Sequence, residues 1–189
     1  MKTMKRSFDI FISVVAFAIF LVPCAIVGIM IKLGSQGPAL YWSRRVGRKG
    51  KPFMMPKFRT MYVHTPEEPT ENLQKPEIYI TPLGRVLRTT SIDEIPQLLS
   101  VLRGDMSLVG PRPVLVSQDE LNRMRSDLGV DRLRPGITGW AQINGRDDIS
   151  LEEKVRFDHE YLERQSLAFD ILIIWKTCFY VLRRKGVWH

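Results

Sequence analysis

Cysteine and histidine are scarce in this 189-residue chain, with two of the former and three of the latter. Cys24 and Cys178 sit in separate apolar stretches, so a cysteine-bound zinc site and a disulfide framework are excluded and both read as packing residues. His64, His159 and His189 form no HExxH helix or triad-like arrangement and read as surface positions. Neither a P-loop nor a dinucleotide fingerprint is present, which removes ordinary nucleotide-fold machinery. Internal repeats are absent too. Acidic residues are nearly missing from the first third: residues 1–60 hold eleven Lys or Arg and only Asp9, for +10, whereas the remainder has seventeen basic and nineteen acidic residues, for −2. The overall charge of +8 is therefore an N-terminal property. With 44% hydrophobic and 25% charged residues the chain excludes disorder, and its length suits about one domain.

What is present in that third is an apolar run, Phe8 to Ile31, broken only by Asp9, Ser13 and Pro23. About 20 apolar residues cross a bilayer, and the run exceeds the roughly 7–15 of a signal-peptide core, so it reads as a retained membrane segment. Basic residues flank both ends: Lys2, Lys5 and Arg6 before, Lys32, Arg44, Arg45, Arg48, Lys49 and Lys51 after. Since such flanks stay cytoplasmic, a helix that bends near Val22 and Pro23 and leaves on the face it entered satisfies both. A single crossing with a proline kink is the alternative, and the residues alone leave the two open. Asp9 is placed for an interfacial ion pair with Arg6.

Further along, Ala39 to Trp42 reads as a short strand or interfacial segment, and Arg44 to Gly50 as a basic loop. If Phe53 to Met61 is extended, Lys57 and Arg59 share a face. Tyr62 to Ile80 reads as a mobile surface loop. Helices are expected over Thr89–Leu102, Ser117–Leu128 and Ser150–Arg164, with Ser91/Glu94 and Ser150/Glu153 at capping-box spacing, although Pro96 fits the first turn of the first helix better if Asp93 is the cap. Val109–Pro113 and Arg134–Arg146 read as glycine- and proline-marked loops. Leu167–Leu182 is too short for comfortable crossing and reads as an interfacial helix, or else a core helix, followed by Arg183, Arg184 and Lys185.

Asp93 and Glu94 are adjacent at a helix start, with Arg85 and Arg88 before them and Arg103, Arg112, Arg134 and Arg146 in the loops after. Two carboxylates can share a magnesium ion with substrate phosphate, and arginines suit phosphate. A carboxylate can also be a nucleophile that divides phosphoryl transfer into two displacements. The plain alternative is helix-dipole capping, worth about 0.3–1 kcal/mol for each acid.

The ordered blocks are specific. They are Arg45-Val46-Gly47, Lys57-Phe58-Arg59-Thr60-Met61, Thr90-Ser91-Ile92-Asp93-Glu94-Ile95-Pro96-Gln97-Leu98, Gly104 through Pro113, and Arg134 through Arg146. Through them the chain resembles, over nearly its whole length, the bacterial sugar transferases, or monotopic phosphoglycosyl transferases.

The resemblance implies an α+β, mostly helical monotopic membrane protein, with residues 1–34 as a re-entrant helix bent at Pro23 and 35–189 as a cytoplasmic, membrane-associated catalytic domain with interfacial amphipathic helices. It implies transfer of a phosphosugar from a UDP-sugar to polyprenyl (undecaprenyl) phosphate, releasing UMP, at the cytoplasmic face of the bacterial inner membrane. Asp93 would be the nucleophile, with Glu94 helping it hold Mg2+. Arg112, Arg88, Lys57, Arg59 and Arg146 would bind phosphate or substrate. Membrane lipids are implied partners, nucleic acid is not, and a homodimer is compatible. Gln118–Arg134 and the C-terminal tail resemble members thought to use N-acetylated amino sugars. Val22 stands where a serine is frequent, and Ser43 where glutamine is. Rival readings are a basic membrane adaptor, favoured by the charged N-terminal third, and a magnesium-dependent lipid phosphatase.

Overall fold

A computed structural model of the chain describes residues 2–66, 75–145 and 149–183. It is mostly helical, with two small sheets. Helix α1 (Lys2–Gly34) is unbroken over 33 residues, about 50 Å if straight, and is long and apolar enough to cross a membrane, which makes it compatible with membrane association. Pro23 lies inside it without dividing it into the two helices of a hairpin, because the ring removes only the amide donor to Ile19 and the flanking residues keep helical hydrogen bonding.

Both arms of α1 nevertheless rest on the same folded unit. Phe8, Ile12 and Ala16 pack against a core built from Met55, Leu98, Val101, Met106, Val109, Tyr161, Phe169 and Ile173. Beyond Pro23, Cys24, Val27 and Ile31 pack with Phe58 and Leu87. Residues 18–23, between the arms, are all exposed. Polar clamps mark the two ends: Arg6 donates to the carbonyls of Val101 and Leu102, and Arg59 to those of Ser35 and Gln36. Asp9 is buried rather than interfacial, and its partner is not Arg6. Its carboxylate accepts from Ser107 Oγ at 2.8 Å and lies 3.8 Å from Lys5 Nζ, because Arg6 is turned to the end of a neighbouring helix.

Strands β1 (Leu40–Val46) and β2 (Pro52–Phe58) form an antiparallel hairpin registered Leu40 to Phe58 and Val46 to Pro52. The first strand thus runs through Arg44 and Arg45, which read as loop from composition; the turn itself is Arg48–Gly50, with Lys49 and Gly50 at positive φ. The ends of the following segment are tied, Tyr62 N donating to Tyr79 O. Residues 67–74 lie outside those described.

The helix expected over Thr89–Leu102 is three pieces: α2 (Pro82–Thr90), a 3-10 turn (Ile92–Gln97) and α3 (Leu98–Arg103). Ser91, at φ 57°, is the left-handed end of α2, so its side chain does not cap the next turn as the Ser91/Glu94 spacing suggested. Asp93 and Glu94 still occupy that turn's start. The Ser150/Glu153 capping box does form and opens α6 (Leu151–Arg164) as expected. Preceding it are β3 (Ser107–Val109), α4 (Asp119–Asp127), β4 (Gly136–Thr138) and α5 (Trp140–Asn144). The last two lie where only a loop was expected, since β4 pairs parallel with β3, Ser107 to Gly136 and Val109 to Thr138. Helix α7 (Leu167–Arg183) is amphipathic: Phe169, Asp170 and Ile173 are buried, while Ile171, Leu172, Trp175 and Phe179 are exposed.

Candidate active site

Asp93 sits in the first turn of the 3-10 segment, 8% exposed, and is placed by three neighbouring elements. Strand β2 supplies Lys57, whose Nζ lies 3.0 Å from Glu94 Oε1. Helix α2 supplies Arg88, oriented by hydrogen bonds from Nε to Thr60 Oγ1 at 3.0 Å and from Nη2 to Met61 Sδ at 3.2 Å, and electrostatically coupled to Asp93. The Gly110-Pro111-Arg112 turn after β3 supplies Arg112, 3.7 Å from Glu94 Oε1 with its side chain 41% exposed. Two acids therefore lie among three cations.

Burial pushes the Asp93 carboxyl up to about 6; Lys57 and Arg88 pull it back and Glu94 adds to the rise. A carboxylate so placed is ionised above neutrality yet poorly solvated, which suits a nucleophile better than a plain helix cap. Arg45 joins the cluster although composition placed it in a loop. Its guanidinium donates to Ser43 Oγ at 2.9 Å and to Pro113 O at 3.3 Å, and burial, then the Arg112 charge, lower it to about 10. Strand alternation could have found it, since Tyr41, Ser43 and Arg45 share a face and Tyr41 pairs with Lys57.

The structure separates the other candidates. Lys57 and Arg59 diverge because β2 ends at Phe58; Arg59 is buried and its Nη groups bind Ser35 and Gln36 at the exit of α1. Arg134 donates to Gly104 O at 2.7 Å, and Arg103 stacks over the Trp42 ring. Arg146 lies outside the described residues, as do Arg184 through His189.

Among the described residues no group of three His, Cys, Asp or Glu could hold a metal. Asp93 and Glu94 are two adjacent acids, the number a magnesium ion shared with substrate oxygens would use, and Glu94 Oε1 already faces Lys57 and Arg112.

The sequence pattern of the Bacterial sugar transferase family matches residues 1–184, spanning every element that builds this cluster. The chain belongs to that family. It is 40% identical, over 99% of its own length, to the undecaprenyl-phosphate galactose phosphotransferase of Salmonella typhimurium. It is 36% identical, over 94% of its length, to the UDP-glucose:undecaprenyl-phosphate glucose-1-phosphate transferase of Escherichia coli. The chain spans 42% and 40% of those two relatives. A relative of its own size is the uncharacterized sugar transferase EpsL of Bacillus subtilis, 42% identical over 97% of this chain and 90% of EpsL. Asp93 and Glu94, the acidic pair singled out in the sequence, lie within the matched region.

Proposed function

We propose that the protein transfers a phosphosugar from a UDP-sugar to polyprenyl (undecaprenyl) phosphate by a two-step displacement through Asp93. The observation that carries this reading is a single buried carboxylate, raised to about 6, beside Lys57, Arg88 and Glu94, with Arg112 in turn on Glu94. Ionised Asp93 attacks the phosphorus that bears the sugar; the bond to the bridging oxygen breaks and UMP leaves. Polyprenyl phosphate then attacks the aspartyl-phosphosugar, the acyl phosphate bond breaks, and polyprenyl diphosphate sugar departs with Asp93 restored. Arg112 and Arg88 hold phosphate oxygens through both steps, and Lys57 orients Glu94. Asp93 and Glu94 would hold a magnesium ion, which supplies charge neutralisation on the diphosphate when bound.

Residues 1–34 act as a re-entrant arm and 35–189 as the catalytic domain at the cytoplasmic face of the bacterial inner membrane. Support comes from basic residues on both flanks of the apolar run and from the anchoring of both arms of α1 on one unit. The exposed apolar face of α7 would rest in the same interface. Relatives named for galactose and for glucose leave the sugar to be found by assay.

The test is UMP release from a panel of UDP-sugars with undecaprenyl phosphate as acceptor. Label from the sugar-bearing phosphate should be trapped on the wild-type protein before acceptor is added and be absent from Asp93→Asn. A membrane adaptor would release no UMP, a lipid phosphatase would pass phosphate to water, and a reaction with no covalent species would overturn the two-step route.

A further inference from the structure

The turn that carries Arg112 is held at five of its carbonyls and at Gly110 N. Val109 O accepts from Ser107 Oγ at 3.0 Å, Tyr161 Oη at 3.1 Å and Lys5 Nζ at 3.2 Å. Gly110 N donates to Thr138 O and Pro111 O accepts from Gly136 N, both at 2.9 Å. Pro113 O and Val114 O are held by Arg45 Nη1 and Val46 N. The carbonyl of Arg112 itself accepts from Arg125 Nη1 at 2.8 Å.

Arg125 stands out because its position is costly. It projects from α4, is 9% exposed, and binds Asp158 of α6, 1% exposed, through Nε at 2.9 Å and Nη2 at 2.6 Å. Burial raises the Asp158 carboxyl against the pull of Arg125. An ion pair taken out of water is commonly no more stable than apolar residues of the same volume, so cohesion of α4 with α6 does not by itself call for one. What apolar residues cannot do is donate a third hydrogen bond to Arg112 O. Two N–H groups fix the guanidinium plane on Asp158, and the plane aims Nη1 at that carbonyl.

We infer that Arg125 and Asp158 are positioning residues that fix the backbone origin of Arg112, so that its half-exposed guanidinium meets the transferring phosphate without first being ordered. This inference rests on the reading of Arg112 as a phosphate ligand. It assigns a role in the reaction to two residues far from Asp93 in sequence and outside every motif block quoted above.

A double-mutant cycle in the full-length protein tests it. The pair is removed as Arg125→Met with Asp158→Leu, which leaves no unpaired buried charge; Arg125→Lys, which keeps the charge but loses the planar fork, serves if the double replacement melts early. Each is combined with native Arg112 and with Arg112→Ala. UMP release gives kcat and KM, and calorimetry with UDP reports binding where turnover is too slow to measure. With Arg112 present, removing the pair should lower kcat/KM or UDP affinity by about tenfold to 100-fold; with Arg112→Ala it should change either by less than about twofold. Equal losses in both backgrounds would overturn the inference and leave a purely structural pair. If Arg112→Ala alone changes neither turnover nor UDP binding, it is the phosphate-ligand reading of Arg112 that fails, and the inference falls with it.

Discussion

Lys57 Nζ lies 3.0 Å from Glu94 Oε1, and the same ammonium lowers the pKa of Asp93 next door. One strand residue therefore orients one acid and tunes the other. Replacing it as Lys57→Met removes the strongest charge acting to lower Asp93, so the acidic limb of the kcat/KM profile, expected near pH 6 in the native protein, should move to higher pH. A profile that drops in height without shifting would mean that Lys57 serves substrate alone.

Burial of Asp93 trades stability for reactivity. Its folded-state value of about 6 exceeds the ordinary 3.8, so the native state keeps the proton longer and stability falls as pH rises between those values. Asp93→Asn should abolish UMP release and, at pH 8, stabilise the fold by about 2 kcal/mol, seen as a higher Tm. At pH 3 the difference should vanish.

Chelation offers a third measurement. EDTA should stop UMP release and added Mg2+ restore it. Glu94→Gln should raise the magnesium concentration for half-maximal rate by about tenfold or more, because one of the two proposed hard donors is lost.

At Gly110 there is no room for a side chain: an added Cβ would meet the Arg134 carbonyl oxygen, which is backbone and cannot move aside. Gly110→Ala should destabilise the protein by about 1–3 kcal/mol. Because β4 is pushed from β3 beside Arg112, UMP release should fall by more than the lost stability explains, as judged at temperatures well below the variant's Tm.

Topology is testable in cells. In a background of Cys24→Ser and Cys178→Ser, a cysteine at Thr3 and one at Gln36, both exposed positions, should be blocked only by reagents that reach the cytoplasm. Labelling of Thr3→Cys from the periplasm would establish a single crossing instead.

Much of this was legible beforehand because local signals and tertiary packing agree. The apolar run, the capping box at Ser150 and the helix over Leu151–Arg164 follow from periodicity and capping alone. Asp93 and Glu94 stand at the start of a helical turn as their spacing suggests, but the left-handed Ser91 splits the helix there, and a serine carries no sign of positive φ. Helix α2 has a start signal in Thr81-Pro82, with Thr81 accepting from Gly84 N and Pro82 in the first turn, but no apolar periodicity long enough to mark it in the sequence. The β3–β4 pairing could not be read, since three-residue parallel strands 29 positions apart in register leave no periodic trace. Arg59 shows the limit most directly: its charge and motif matched Arg112, and only the fold turned it to the end of α1.

That clamp has a further consequence. With Arg6 fixing one end of α1 and Arg59 the other, a re-entrant α1, as proposed above, would have its depth set by the protein rather than by the distance between leaflets. A spanning helix tilts or stretches its surroundings to match a thicker bilayer, whereas an arm pinned twice to one body has no far anchor to be mismatched. Membranes of quite different acyl chain length should then present the lipid phosphate to Asp93 at the same height.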